Sequence, residues 1–208
     1  NRGARLFVPP YFDPPNPALD PITLRSHYLL GGHITTDLVA KGFKGVSTNA
    51  QYDPWYHGAA RAAPGFHNLV GILTEAASTR LATPIYQEWK DLTGSTRGLA
   101  DGQHMLVNFP QPWEGGWWRL SDIMAYEESV VMSILTLAAR YGDSFVRNYY
   151  ESNVRGIKGE YGSILSPDKN ISPEAARAAV PFAYVIPMDQ QRDPVVTAKF
   201  LNILLFQG

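Results

Sequence analysis

One apolar segment, residues 68–75, limits the fold of this chain more than any other feature. Residues 69–73 are apolar or glycine at every position, and the segment ends at Thr74 and Glu75. A run without alternation is expected of a strand that is covered on both faces, as in a sheet that packs between helices. The segment therefore predicts an α/β fold in which Glu75 ends an interior strand.

The clearest helix signal lies upstream of this segment. Asp20 and Pro21 are residue types preferred at an N-cap and at the first helical position, and apolar residues then recur at helical spacing to about Lys41. Gly42 has the residue type expected just after the last turn. The adjacent glycines at 31–32 indicate close packing of this helix against the sheet.

Weaker patterns complete the first part of the chain. Residues 4–8 and 45–48 predict short strands, and residues 76–120 have no regular period. An amphipathic pattern predicts a helix from about 121 to 141, and a second helix is expected over 143–153. Strands and helices that alternate in this way indicate an α/β architecture.

The last third of the sequence changes character. Residues 154–180 contain several glycines and prolines and are interpreted as a linker. A strand over 182–187 and a helix from about Pro194 then predict the opening of another α/β unit. The expected organisation is one incomplete α/β domain over 1–153, the linker, and the first strand and helix of a truncated second domain over 181–208.

Composition excludes several classes of function. The chain has 18 basic and 19 acidic residues and a net charge of -1, so it lacks the positive field of a nucleic-acid-binding protein. No apolar run approaches the roughly 18–20 residues of a membrane span. Without cysteine there is no disulfide and no thiolate metal site. The expected partners therefore include neither nucleic acid nor a membrane.

Both ends of the sequence lead us to expect a fragment of a longer protein. No signal peptide opens the chain, which enters its first predicted strand within a few residues. The last predicted helix runs almost to Gly208 without a tail. An α/β sheet that lacks part of its strands would expose an edge, which a missing segment or a second copy of the chain would cover.

Glu75 is the sharpest candidate for chemistry. A lone carboxylate at the end of an apolar strand lies where open α/β sheets place their ligands, and it can serve as a general base toward water. The alternative is a structural role, in which Glu75 caps a neighbouring helix or pairs with Arg80. The residues alone leave both interpretations open.

Other candidate sites are less complete. The aromatic loop over 49–67 suits a lid over a binding site, or a loop held to the surface by its aromatic side chains. None of the five histidines forms HExxH or HxxE. His33 and Asp37 are either two metal ligands without a third or a polar contact on one helix. Trp113 and its neighbouring tryptophans form either a groove for sugar or peptide or a packed aromatic cluster.

A set of segments in residues 1–143 follows the order found in one peptidase family. They are residues 3–10, the helix at 22–41, Asp53–Gly58 and Gly71–Glu75, with further similarity at 112–119 and 184–190. On these residues the chain resembles the C-terminal half of a zinc carboxypeptidase domain, as in pancreatic carboxypeptidase A. It is most similar to bacterial members that carry an extra C-terminal domain. The resemblance implies part of an α/β/α sandwich with a mixed sheet.

The resemblance also implies roles for particular residues. Glu75 matches the catalytic glutamate, on a strand that ends in Thr-Glu. Tyr56, with Tyr52 as a competitor, matches the mobile tyrosine that closes over the substrate. The neighbouring His57 and Arg61 are further candidates for substrate binding, together with Arg80. The zinc ligands, an HxxE pair and a later histidine, would all lie upstream of Asn1.

The function implied is therefore a zinc-dependent hydrolase of peptide or amide bonds, inactive without the missing segment. It would be secreted or periplasmic, as relatives mostly are. Zinc would polarise the scissile carbonyl, while Glu75 would move a proton from water to the leaving amine. The alternative is a carboxypeptidase-like scaffold that binds or assembles without catalysis.

Overall fold

A computed structural model describes residues 3–16, 18–51, 56, 58–99, 101–158, 172 and 183–207. These contain both helices and strands, so the predicted α/β class is confirmed at that level. The elements are β1 (Leu6–Phe7), α1 (Pro21–Ala40), β2 (Val46–Ser47), β3 (Glu75–Ala76), β4 (Ile85–Gln87), β5 (Gly116–Trp118), α2 (Leu120–Ile157) and α3 (Pro194–Gln207). Short 3-10 helices occur at Ala63–His67, Trp89–Leu92 and Met188–Gln190.

The main sheet is small and mixed. β1 lies in its centre, parallel to β2 and antiparallel to β3, with Phe7 opposite both Ser47 and Glu75. β4 and β5 form a separate antiparallel pair, in which Tyr86 lies opposite Trp117. The sheet therefore places Glu75 directly beside the central strand.

The prediction of a strand over 68–75 is wrong in its extent, because only Glu75, with Ala76, joins a ladder. The carbonyl of Gly71 accepts a hydrogen bond from His27, and the hydroxyl of Tyr11 bonds to both the amide and the carbonyl of Leu73. Side chains thus occupy backbone groups that a neighbouring strand would otherwise need.

Helix α1 matches its prediction closely. The Asp20 carboxylate accepts a hydrogen bond from the Ile22 amide at 2.9 Å, and Pro21 is the first helical residue. After the helix, Gly42 adopts a φ of 85°, a left-handed conformation that favours glycine. A Cβ atom on Gly31 would overlap the carbonyl of Pro9, so close packing requires this glycine.

The two helices predicted over about 121–141 and 143–153 are present as the two arms of one element, α2, which is kinked between them. α2 continues through Tyr141, whose φ of -118° and ψ of 16° are not helical. At its start, the Arg119 amide donates to the Asp122 carboxylate at 2.7 Å, which satisfies one free donor of the first turn. The helix also extends to Ile157, into the predicted linker.

The two faces of β1 are covered differently. Leu6 and Val8 pack toward α1 and α2, in a cluster that includes Ile34, Leu38, Trp118, Tyr126 and Val130. Phe7 packs with Ala4, Ala50, Leu99 and Phe109, which lie in extended or irregular segments. In the described residues, helices thus cover one face of the strand, whereas the sequence predicted them on both.

The C-terminal segment differs in part from its prediction. Helix α3 begins at Pro194 as expected, and it contacts the short 3-10 helix at Met188–Gln190. Residues 183–187 adopt no regular structure, so their prediction as a strand is wrong. No residue of α3 is buried. No helix in the described part of the chain combines the length and apolar character needed to cross a bilayer.

Candidate functional site

Glu75 projects from the sheet on the side away from α1 and α2. Its neighbour Thr74 donates a hydrogen bond to Glu127 of α2 at 3.0 Å, and Leu73 packs beside Phe7 on the other side. Because side chains alternate across an extended segment, Glu75 lies on the side of Leu73. Its side chain keeps 33% of its surface exposed. The carboxylate is thus accessible, as a group that meets substrate must be.

The cation that pairs with Glu75 is Arg97, whereas the sequence analysis named Arg80 as its possible partner. Nη2 of Arg97 lies 2.9 Å from Oε1 of Glu75. The same arginine donates to the carbonyl of Gln51 at 3.4 Å, and its own carbonyl accepts from the Gln51 amide. Arg97 therefore joins a tight loop to Gln51 and pairs with the Glu75 carboxylate at the sheet.

The residues predicted to bind substrate are only partly brought together. Arg61 lies beside Gly71, in the segment that leads to Glu75. Arg80 lies in an exposed turn closed by the Thr83 amide. The ring of Tyr56 folds against Gly58 and remains more than half exposed. Tyr52 and His57 lie outside the described residues.

A cavity of about 320 Å³ opens between α1, the loop over 10–16 and the segment over 61–71. Phe12, Leu19 and Leu24 supply apolar wall, and Asp13, Arg25, His27 and Arg61 supply polar groups. Its size is at the lower end of the range for small-molecule sites. Tyr11 lines the cavity, and its hydroxyl accepts a hydrogen bond from the Leu73 amide. Leu73 lies two residues before Glu75, so this bond connects the cavity wall to the strand that carries Glu75.

Two side chains of this wall, the buried His27 and the partly buried Tyr11, are in their neutral forms at neutral pH. Nε2 of His27 lies 2.9 Å from the Gly71 carbonyl, so this nitrogen carries the proton. Burial lowers the pKa of His27, and the Gly71 hydrogen bond offsets this only in part. Burial likewise raises the pKa of Tyr11 to about 12, against the opposing effects of its Leu73 hydrogen bond and the nearby Arg61 charge. The His27 ring meets the Tyr11 ring edge to face at 5.5 Å.

The described residues do not fit a zinc ion. They contain no group of three or more histidine, aspartate or glutamate side chains that could hold a metal. His33 and Asp37 approach to 3.7 Å as neighbours on one face of α1, which is the polar contact that the sequence left as an alternative. A structural zinc site needs four ligands, and a catalytic one needs three.

The tryptophans divide into two groups. Trp113 and Trp118 are packed around the buried guanidinium of Arg5, at 4.1 and 5.1 Å from their ring centroids. Trp118 also donates to the Ala77 carbonyl at 2.6 Å. A packed cluster is therefore confirmed for this pair. In contrast, Trp117 and Trp89 remain about half exposed.

Sequence reasoning missed Arg97, His27 and Tyr11 as neighbours of the candidate site. Arg97 belongs to the loop over 94–98, and the glycines at both ends of this loop indicate a tight turn. This turn was the one local feature of the sequence that bore on the position of Arg97. His27 and Tyr11 reach the segment over 71–73 across 44 and 62 residues of chain.

Comparison of the chain with protein-family models, curated proteins and solved structures finds no match.

Proposed function

We propose that this chain is part of a carboxypeptidase-like hydrolase of peptide or amide bonds, with Glu75 as its proton-transfer group. One observation carries the proposal: Glu75 is an accessible carboxylate beside the central strand, paired with Arg97 at 2.9 Å. The cavity that bears Arg61 adjoins the same segment and supports a neighbouring binding site.

The chemistry follows from the position of the carboxylate. Glu75 would accept a proton from a water molecule as the water oxygen forms a bond with the substrate carbonyl carbon. The carbon–nitrogen bond then breaks, and the proton passes to the leaving amine. General acid–base catalysis of this kind contributes typically 10²–10⁴-fold to a rate. Arg97 is a positioning residue, since it acts on the reaction through Glu75.

Zinc enters this proposal only as an ion held by residues outside the described part of the chain. When bound in such a hydrolase, it lowers the pKa of a water molecule and polarises the substrate carbonyl. The same proposal includes the fold that the resemblance implies, a carboxypeptidase-like α/β/α sandwich with a mixed sheet. The small mixed sheet around β1 is compatible with part of such a sandwich.

The test is Glu75→Gln in the protein at its full natural length, supplied with zinc. The substrates are N-acylated dipeptides with a free C-terminal carboxylate, and the measurement is release of the C-terminal amino acid. We expect kcat to fall by about 10²-fold or more, with the melting temperature nearly unchanged. Glu114→Gln is the matched control, because Glu114 is also paired with a cation, Lys44 at 2.7 Å, on the surface.

Equal activity in the two variants would remove Glu75 from the role proposed for it. Loss of activity in Glu75→Gln alone, without loss of folded protein, supports the role. An Arg97→Gln variant adds a further distinction. A positioning role predicts a lower kcat with little change in KM, whereas a purely structural ion pair predicts a change in melting temperature alone.

A second candidate function is a non-catalytic binding or assembly module. The exposed pair of Tyr86 and Trp117, with ring centroids 5.3 Å apart, offers a contact surface. Full-length protein that takes up no zinc and cleaves no substrate would favour this function over the first.

A further inference from the structure

Two opposite charges line the cavity between α1 and the loop over 10–16 without pairing with each other. Asp13 belongs to the loop and Arg25 to α1, and both are exposed. No carboxylate oxygen of Asp13 lies within 4.0 Å of a guanidinium nitrogen of Arg25. Within the described residues, neither side chain forms an ion pair or a hydrogen bond with another group. The Arg25 guanidinium lies 5.3 Å from the centroid of the Tyr28 ring, a contact that leaves its N–H groups available as donors.

The other polar groups of the lining are engaged within the protein. His27 bonds to the Gly71 carbonyl, and the Tyr11 hydroxyl accepts from the Leu73 amide. Both are neutral at neutral pH, because burial lowers the pKa of His27 and raises the pKa of Tyr11 to about 12. Arg61 also lines the cavity, where it already interacts with other groups of the protein.

The cavity also has an apolar surface. Phe12, Leu19 and Leu24 line it; Leu19 is buried, and the other two are half-buried. The volume of about 320 Å³ equals that of about ten water molecules in the liquid. A hydrocarbon group of an occupant would cover these side chains, and removal of apolar surface from water is favourable.

The loop that carries Asp13 is held on both sides of this residue. The Phe12 amide donates to the Ala50 carbonyl at 3.3 Å, and the Asn16 side chain accepts from the Ala18 amide at 2.9 Å. Asn16 is itself buried. A wall that is already fixed loses little conformational entropy when an occupant binds.

From these observations we propose that the cavity binds a free α-amino acid with an apolar side chain. Its ammonium group pairs with Asp13, its carboxylate pairs with Arg25, and its side chain lies against Phe12, Leu19 and Leu24. A zwitterion bridges two separated charges of opposite sign, whereas a simple anion or cation would be attracted by one and repelled by the other. This binding does not require the protein to hydrolyse amide bonds.

Four probes separate the three contacts. L-Leucine has all three groups; 2-hydroxy-4-methylpentanoate replaces the ammonium group by a hydroxyl; L-leucinamide replaces the carboxylate by a neutral amide; glycine lacks the side chain. Binding to the full chain is measured by titration in ¹H–¹⁵N NMR spectra. We expect L-leucine to bind most tightly and glycine at least about tenfold more weakly, because glycine buries no hydrocarbon. The other two should bind about three- to fivefold more weakly than L-leucine, since exposed ion pairs contribute less.

Two variants assign each charge to its partner. Asp13→Asn should weaken L-leucine by about three- to fivefold and should not weaken the hydroxy acid, which has no ammonium group to lose. Arg25→Gln should weaken both carboxylates to a similar extent and should not weaken L-leucinamide. Asp189→Asn and Arg192→Gln are the matched controls, because both residues are exposed and lie outside the cavity lining.

This pattern, with L-leucine shifting the amide resonances of Phe12 and Leu24 in the unmodified protein, supports the site. The proposal is overturned if L-leucine does not bind at millimolar concentration or binds no better than glycine. Effects of Asp13→Asn and Arg25→Gln no larger than those of the controls would also overturn it, as would equal weakening of all probes by either variant. Each result is distinct from the hydrolase test, which measures product release and varies Glu75.

Discussion

At the scale of single residues, the buried polar side chains of Arg5 and His27 each have partners in the protein interior. Arg5 is almost fully buried between Trp113 and Trp118, and it donates to the Gln87 side chain at 3.0 Å. Burial lowers the pKa of Arg5 to about 10, so the guanidinium stays charged at neutral pH. The aromatic faces compensate part of its lost hydration. His27, in contrast, is buried in the neutral form.

His27 makes a prediction about stability and pH. Its pKa is lowered in the folded protein from an ordinary 6.5, so just below 6.5 the unfolded chain binds more protons. The free energy of unfolding should therefore decrease as the pH falls below about 6.5, and the loss should level off below the folded-state pKa. The Tyr11 ring contacts the His27 ring, and the other described charged or titratable residues that line the same cavity are Asp13, Arg25, Tyr28 and Arg61.

The measurement is urea unfolding at about pH 7.5 and about pH 5.5 in the wild type, His27→Gln and His104→Gln. His27→Gln should lose less stability between the two pH values than the wild type does. His104 lies on the surface beside Asp101, and its replacement should not reduce the loss in the same way. An identical pH dependence in all three proteins would contradict a neutral buried His27.

At the scale of elements, Asp20 joins two helices. One carboxylate oxygen caps α1 through the Ile22 amide at 2.9 Å, and the other accepts from Arg155 of α2 at 2.7 Å. The Asp20 side chain is only 10% exposed. The beginning of α1 is thereby attached to the last turns of α2, beyond the kink at Tyr141.

This double role predicts a graded response to substitution. Asp20→Asn keeps a capping oxygen and loses the ion pair, and it should cost about 1 kcal/mol of stability. Asp20→Ala loses both contacts and should cost about 2 kcal/mol. Asp193→Ala is the matched control, because Asp193 caps α3 through Val195 and Val196, where no residue of the helix is buried. Equal losses in the Asn and Ala variants would show that the cap contributes nothing.

At the scale of the whole molecule, the described residues form one packed region and one exposed helix. The packed region holds both hydrophobic clusters, on either side of β1. Helix α3 leaves several large apolar side chains in solvent, among them Phe200, Ile203 and Phe206. A cover for these side chains, from another part of the protein or a second copy of the chain, remains a prediction.

A chain that ends at residue 182 tests this division. Since α3 buries no residue, removal of residues 183–208 should change the melting temperature of the packed region by less than about 1 °C. The comparison is a chain that ends at residue 146, which also loses the contact between Arg155 and Asp20 and should melt several degrees lower. A large loss from the first truncation would indicate that α3 docks on the packed region.

The sequence by itself determined three helix boundaries. The beginning of α1 at Pro21, its end before Gly42 and the beginning of α3 at Pro194 all follow from signals within a few residues of each boundary. Caps, prolines and left-handed glycines act through bonds that the local chain makes with itself, so they can be recognised without knowledge of the fold.

Only the tertiary structure decided the surroundings of Glu75. The segment before it is apolar enough for a strand, but distant side chains, His27 and Tyr11, bind its backbone groups first. Arg97, rather than the nearer Arg80, neutralises the carboxylate, because the loop after β4 returns to the sheet through Gln51. These contacts join residues far apart in the chain, and local periodicity contains no information about which of them will meet.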